Sequence, residues 1–119
     1  MRTEILEFQA QVCKIFSNAT RLEILNLLKN GEMTVSDLTK TLKATKANTS
    51  QHLKVMRMSG LLKTRRGGTN IYYRIANEEL ANACSLMQAA LSQIMDGHPQ
   101  RIQRRPTAAE TAAPAVNGR

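Results

Sequence analysis

Aromatic residues are scarce in this 119-residue chain, which has two Phe, two Tyr and no Trp. Its hydrophobic core must therefore be built mainly from Leu, Ile, Val, Ala and Met. The two Cys are too few for a disulfide scaffold, and they are expected as thiols in a reducing cytosol. No apolar run approaches the ~18 residues that a membrane span needs, and the N-terminal segment lacks the layout of a signal peptide. These absences predict one small, soluble, cytoplasmic domain with no membrane partner.

Acidic residues are missing between Leu38 and Asn77, where nine Lys and Arg residues lie. These nine positive charges exceed the formal charge of the whole chain, which is +8. The basic excess is therefore concentrated in one segment. Lys and Arg that neutralise phosphates release condensed counterions, and this segregation therefore favours binding of nucleic acid by one face. An enzyme would need a nucleophile, a base and a pocket. The two His and few acids form no such group, so we do not expect an enzyme.

Apolar residues recur every three to four positions in five segments, which predicts five helices. The helices are expected near residues 4–16, 19–30, 34–42, 45–59 and 77–95. Thr34 followed by Asp37 predicts a capping box at the start of the third helix. The first helix has two apolar strips, which indicates that it contacts a partner as well as its own core.

The third and fourth predicted helices are joined by a tight turn at Lys43 and Ala44 and form a helix-turn-helix. The second helix of this motif lies in the major groove of DNA with its N-terminal half against the base edges. That half carries mostly short or amide side chains that both donate and accept hydrogen bonds. The DNA contacts predicted on this helix are Lys46, Asn48, Thr49, Ser50, Gln51, His52, Lys54 and Arg57. A solvated amphipathic helix with accidental polarity is the alternative.

A basic β-hairpin follows, with strands at residues 61–62 and 71–73 and turn residues at 66–69. Its position after the base-reading helix predicts a wing that contacts the DNA backbone or enters the minor groove. The predicted wing contacts are Lys63, Arg65, Arg66, Gly67, Thr69 and Tyr73.

Together these elements predict a mainly α fold with a short β-hairpin wing, a winged helix-turn-helix of about five helices and two strands. From Gly97 onward apolar periodicity is lost, and all three Pro lie there. The sequence therefore predicts a DNA-binding and dimerisation domain over residues 1–96 and a disordered basic tail over 97–119.

Three runs carry a family resemblance: FSNATRLEILNLL, VSDLTKTL and TSQHLKVMRMSGLLKTRRGGTNIYYRI. Over roughly residues 5–95 the chain resembles the winged-helix repressors of the ArsR/SmtB family. The resemblance implies a homodimer with the first and last helices at the interface, an inverted-repeat operator in double-stranded DNA, and repression that an inducer relieves. It also implies base reading by Ser50, Gln51 and His52. Burial of two terminal helices across a two-fold axis would complete the core of a small chain.

The metal sites of the family's sensors have no counterpart in the sequence. Arsenic sensors carry Cys-x-Cys where this chain has Thr34 and Ser36. Zinc sensors carry Asp/His and His/Glu pairs on the last helix, which here has Glu78 and Glu79 at its start and no His before His98. No metal site and no cofactor are therefore predicted.

The candidate inducer residues are Cys13 and Cys84, on the first and last predicted helices. Three interpretations stay open. Each Cys can be a small buried hydrophobe, the pair can be a thiol switch for an oxidant or reactive sulfur, or both thiols can hold a soft metalloid. By resemblance, the cysteines of the family's sulfur sensors correspond here to Asn26 and Ser92, which lack thiols. A non-sensing or architectural DNA-binding protein with structural cysteines is a further alternative.

Overall fold

The computed structural model of the protein describes residues 2–97. Its helices are α1 (Thr3–Ile15), α2 (Ala19–Leu28), α3 (Val35–Leu42), α4 (Lys46–Met58) and α5 (Glu78–Gly97). Its strands are β1 (Met33–Thr34), β2 (Leu62–Gly67) and β3 (Asn70–Ile75). The five predicted helices are confirmed. Apart from Gly97, which ends α5, the predicted tail lies outside the described residues.

Side-chain caps explain where α2, α3 and α4 begin. Asn18 Oδ1 accepts a hydrogen bond from the backbone N–H of Arg21 at 3.0 Å and caps α2. The predicted capping box of α3 is present, with Thr34 and Asp37 bonded reciprocally. Thr45 caps α4. A cap of this kind contributes about 1 kcal/mol to stability, and four-residue patterns of this kind are local enough to be recognised in a sequence.

The sheet has three antiparallel strands in the order β1-β3-β2, where the sequence predicted two strands. The additional strand, β1, pairs Met33 with Tyr73 and Thr34 with Tyr72. A two-residue strand is too short to show an alternating apolar pattern, which is why it was not predicted. The hairpin strands are also longer than expected. Residues 65–67 lie in β2, so only Gly68 and Thr69 form the turn, with Gly68 at φ +65°.

The core lies where α2, α3 and α4 meet the base of the hairpin, and it is aliphatic as the composition predicts. Its buried members are Ile24, Leu28, Leu38, Leu42, Leu53, Met56, Leu61 and Leu62. Leu53 and Met56 of α4 are both 0% exposed and face this core. On α2 the centre of the core is Ile24, whereas Leu22 is half-buried.

The terminal helices are attached to this core along only part of their length. Val12 and Ile15 of α1 and Leu80 of α5 pack against it. Amide groups join α2 to α5, since Asn26 and Gln88 exchange hydrogen bonds of 3.2 and 3.3 Å. Within residues 2–97, none of the helices is both long and apolar enough to cross a membrane.

Candidate nucleic-acid interface

One side of α4 is polar and exposed, and the opposite side is buried. The buried side consists of Thr49, Leu53 and Met56. The exposed side contains six of the predicted contacts, which are Lys46, Asn48, Ser50, Gln51, Lys54 and Arg57. We call these six residues the α4 surface. It combines hydrogen-bonding side chains with three cations on one helix of 13 residues, which is the chemistry that base and phosphate contacts need.

Thr49 does not belong to the α4 surface, and its prediction as a DNA contact is wrong. The residue is 0% exposed, and its Oγ1 donates a hydrogen bond to the Thr45 carbonyl oxygen at 2.9 Å. The physical reason is helical phase, because Thr49 lies one turn before Leu53 and two turns before Met56 on the core side. The spacing that places Thr49 on the core side is present in the sequence, but the prediction rested on the polar side chain and not on the helical position.

His52 is half-buried and is held by a residue of α2 that sequence reasoning missed. Arg21 Nε donates to His52 Nδ1 at 3.1 Å, and Arg21 Nη1 donates to the Ile15 carbonyl oxygen at 3.2 Å. Burial, and secondarily the charge of Arg21, lower the pKa of His52 below its ordinary value. The imidazole is therefore neutral at pH 7, and with Nδ1 accepting it carries its proton on Nε2. Arg21 thus connects α4 to the end of α1.

The two adjacent wing arginines lie on opposite faces of β2, because successive strand residues alternate. Arg66 shares a face with Thr64 and Leu62, and Leu62 is buried in the same core cluster as Leu53 of α4, the helix that packs on β2. This face therefore adjoins α4. Arg66 is exposed, and no hydrogen bond or ion pair from the described residues engages its side chain.

Arg65 lies on the outer face of the sheet and is occupied by other groups of the protein. Its Nε donates to both carboxylate oxygens of Glu32, at 2.8 and 3.0 Å, and its Nη2 also pairs with that carboxylate. Its guanidinium carbon lies 4.5 Å from the centre of the Tyr72 ring. The hydrogen bond from Arg65 lowers the pKa of Glu32, which is therefore ionised at pH 7.

Tyr73 and Gly67 have roles within the wing. Tyr73 is half-buried and packs against the core, on the opposite face of β3 from Tyr72. A Cβ at position 67 would lie 2.9 Å from Arg65 Nη1 and 3.0 Å from the Tyr72 ring, so glycine permits this close packing. Both residues therefore have a structural role in the wing, and their contact with DNA stays a prediction. Lys63 and Thr69 are exposed.

Exposed apolar side chains are concentrated on the terminal helices. No residue of α1 is buried by the described part of the chain, and α5 buries only Ala81. The exposed large apolar residues of these helices are Ile5, Leu6, Phe8, Leu86, Met87, Leu91 and Ile94. We call them the terminal-helix surface. A patch of this kind on a small protein marks an interaction site.

Comparison with known proteins identifies the family. The family model described as "Bacterial regulatory protein, arsR family" matches residues 18–64, from the cap of α2 into β2. A solved NMR structure, the homodimeric winged helix-turn-helix DNA-binding domain of Mb0332 from Mycobacterium bovis, is 32% identical with a TM-score of 0.73. It covers 85% of this chain and 92% of that one, and is described as a possible ArsR-family transcriptional regulator. The chain belongs to the ArsR family.

Two curated relatives extend the comparison. The transcriptional repressor SdpR of Bacillus subtilis is 33% identical over 64% of this chain and 84% of its own length. The regulator Rv0324 of Mycobacterium tuberculosis is 36% identical over 73% of this chain, which spans only 38% of that protein. Membership of the ArsR family confirms the resemblance and the winged helix-turn-helix fold. Both relatives are transcriptional regulators by name, which agrees with the prediction that the chain is not an enzyme.

The two thiols of this ArsR-family chain are free. Cys13 is exposed on α1, and Cys84 is half-buried on α5. Burial raises the pKa of Cys84, while the neighbouring charges of Lys29 and Cys13 act on it in opposite directions. Within residues 2–97, no three His, Cys, Asp or Glu side chains are grouped so that they could hold a metal ion.

Proposed function

We propose that the protein binds operator DNA as a homodimer and represses transcription. The observation that carries this proposal is the α4 surface, a row of amide, hydroxyl and cationic side chains opposite a fully packed core. A helix with this distribution fits the major groove, where Gln and Asn side chains hydrogen-bond adenine and Lys and Arg side chains bind phosphates or guanine. We assign base reading to Asn48, Ser50 and Gln51, with His52 at the edge of this group.

The wing extends this contact surface. Arg66 lies on the face of β2 that adjoins α4, and Thr69 lies in the turn at the wing tip. A cation at this place can bind the backbone beside the major groove or enter the adjacent minor groove. Lys63 lies on the outer face and contributes to the basic field that attracts DNA.

Homodimerisation is supported by the terminal-helix surface. Its apolar side chains lie on the first and last helices, and a two-fold axis would bury the same patch of both protomers. The Mb0332 domain is itself described as homodimeric. Two α4 helices related by such an axis would read an inverted repeat whose half-sites lie about one helical turn of DNA apart, roughly 34 Å.

The test begins with selection of preferred sites from a random duplex library. Binding is then measured by fluorescence anisotropy on the selected site and on a scrambled duplex. We expect Gln51→Ala to lose about tenfold in preference for the selected site, since a base contact contributes ~1–3 kcal/mol of discrimination. Lys54→Ala should weaken both duplexes alike and reduce the salt slope of the dimer by about 1.8, which is about 0.9 for each protomer.

Two results would contradict the proposal. If the library yields no enriched site, the protein is a non-specific architectural binder. If Gln51→Ala and Lys54→Ala change affinity in the same way on both duplexes, the division of α4 into base-reading and phosphate-binding residues is wrong.

For the inducer, we infer that thiol modification at Cys13 and Cys84 releases the DNA. Cys13 is exposed within the protomer, and Cys84 lies beside the contacts that attach α5 to α2. Its neighbour Ser85 is hydrogen-bonded by Lys29, and Gln88, one turn later, pairs with Asn26. A bridge between the two thiols would therefore change how α5 sits on α2 and, through the dimer, the separation of the two α4 helices.

The thiol hypothesis is tested by anisotropy on the selected site with reduced protein, with diamide- or polysulfide-treated protein, and with arsenite. Diamide takes two electrons and two protons from the two thiols and leaves a disulfide. A tenfold or greater loss of affinity, about 1.4 kcal/mol, with an unaffected Cys84→Ser variant supports the inference. A response to arsenite alone favours a soft metalloid, and equal binding in all samples means that the cysteines are packing residues.

Since DNA is the proposed partner, we place the protein in the cytoplasm. We propose residues 1–96 as the DNA-binding and dimerisation domain. Residues 97–119 carry four Arg and one Glu and would add non-specific affinity for DNA.

A further inference from the structure

The hairpin changes from a three-stranded to a two-stranded structure part-way along its length. Thr34 of β1 is paired with Tyr72, which is paired on its other side with Arg65. Beyond this row, the pairs of residues 66 with 71 and 67 with 70 have no third strand. An isolated two-stranded ribbon is only marginally stable in water. The orientation of the wing tip therefore depends on what holds this last three-stranded row.

The side chain of Arg65 spans all three strands at this row. It starts on β2, passes over the Tyr72 ring on β3 and reaches Glu32, which directly precedes β1. Both carboxylate oxygens of Glu32 accept a hydrogen bond from Arg65 Nε, and one of them also accepts from Nη2. The third guanidinium nitrogen, Nη1, lies against Gly67, where an added Cβ would be 2.9 Å away. All three nitrogens of the side chain thus lie against Glu32 or Gly67.

A phosphate at Arg65 would have to approach a carboxylate that already binds the guanidinium. Glu32 is ionised at pH 7, so it would repel the phosphate and cancel the charge that Arg65 offers at longer range. Arg66, on the opposite face, has no such neighbour among the described residues. The two adjacent arginines therefore have different environments although they are alike in sequence.

We propose that Glu32, Arg65 and Tyr72 form a clamp that fixes the direction of the wing tip, so that Arg66, and not Arg65, contacts DNA. Glu32 and Arg65 are positioning residues that act through Arg66. The expected effect of the clamp on DNA affinity rests on the proposed function, whereas its effect on the orientation of the wing tip does not. Bidentate pairing and stacking need the planar fork of Arg, which Lys does not provide.

The decisive comparison is between Arg65→Lys and Arg65→Ala in DNA affinity on the selected site. A lysine keeps the positive charge for a phosphate but loses the clamp. We expect both variants to lose affinity by the same factor, about fivefold, which is the size that an exposed bidentate pair with a cation–π contact supports. Glu32→Gln should lose a similar factor, and Glu32→Gln combined with Arg65→Ala should be no weaker than Arg65→Ala alone. Glu79→Gln is the matched control, because it makes the same charge change at an exposed position of α5.

A double-mutant cycle and hydrogen exchange complete the test. Because the clamp acts through Arg66, Arg65→Ala should add little to the loss caused by Arg66→Ala. Without DNA, the amide protons of residues 66–71 should exchange faster in Glu32→Gln than in Glu79→Gln, while those of α4 stay unchanged.

The clamp is overturned if Glu32→Gln binds DNA more tightly than Glu79→Gln, or if Arg65→Lys keeps the affinity that Arg65→Ala loses. Either result would make Arg65 a backbone contact. Unchanged exchange at the wing tip would overturn it as well. If the wild-type protein selects no DNA site, the proposed function fails and the exchange experiment alone decides the clamp.

Discussion

The helix-turn-helix and the terminal helices contain the same aliphatic residue types but bury them to very different extents. In the helix-turn-helix and the preceding helix α2, Ile24, Leu38 and Leu53 are fully buried. In the terminal helices, Phe8 of α1 is 54% exposed and Met87 of α5 is 61% exposed. The first region is a complete core within one protomer. We propose that the second is half of a dimer interface, because its apolar residues are periodic and stay exposed in the described part of the chain. Apolar periodicity thus predicts a helix without deciding what covers it.

The largest expected effect comes from the complete core. Leu53→Ala removes a fully buried side chain from the centre of α4 and leaves a cavity, so we expect a loss of about 2–5 kcal/mol in the free energy of unfolding. Chemical denaturation monitored by circular dichroism measures this loss, with Met58→Ala on the exposed side of the same helix as the control. A loss below about 1 kcal/mol would mean that α4 is not packed as described.

A substitution in the terminal helices is expected to lower the stability of the protomer less than Leu53→Ala does. Its effect on dimer assembly is expected to be larger. Phe8→Asp places a charge in the terminal-helix surface, which a buried interface cannot accommodate without a partner charge. We expect sedimentation equilibrium to find monomers at concentrations where wild type is dimeric. The melting temperature should also lose its dependence on protein concentration.

Phe8→Leu is the control for this change, because it keeps the position apolar. A Phe8→Asp variant that stays dimeric would place the dimer interface elsewhere. In that case the comparison between a complete core and a half interface would no longer hold.

Most of the fold was predictable from the sequence because its signals are local. The capping box at Thr34 and Asp37 lies within one helical turn, and so does the spacing of Leu53 and Met56. Apart from Thr49, whose helical position is a local signal, the residues that were missed or assigned wrongly depend on contacts between distant segments. Arg21 and His52 are 31 positions apart, and Glu32 and Arg65 are 33 apart.

The wing illustrates why residue type alone was insufficient. Tyr72 and Tyr73 are the same residue type, and so are Arg65 and Arg66. Their roles are set by the face of the sheet on which they lie. That face follows from alternation along each strand, and the buried residue Leu62 marks the core side.

A modest dependence of the free energy of unfolding on pH is expected from the contact that joins the two regions. In this contact Arg21 links His52 of α4 to the end of α1. The pKa of His52 is lowered in the folded protein, so the unfolded chain binds its proton at higher pH. The free energy of unfolding should therefore be constant above the ordinary pKa of about 6.5 and should fall as pH decreases below it. Denaturation curves between pH 5 and 8 measure this, and His52→Gln should remove most of the decline. A free energy of unfolding that rises as pH decreases would contradict the assignment of a neutral His52.

The smallest expected effect is a difference in reactivity between the two thiols of the terminal helices. Cys84 is half-buried, and burial raises its pKa, so at pH 7 it has less of the reactive thiolate and less access to reagent. Cys13 is exposed on α1. We expect Cys13 to be alkylated several-fold faster than Cys84, as followed by mass spectrometry during iodoacetamide labelling of the reduced protein. A denatured sample should erase the difference between the two thiols.

The same labelling experiment on Phe8→Asp sharpens the comparison of the two regions. If α1 and α5 form the dimer interface, opening that interface should accelerate labelling of both thiols. Equal rates in the folded wild-type protein would show that burial of Cys84 does not control its reactivity, and would weaken the case that this thiol responds to an inducer in a controlled order.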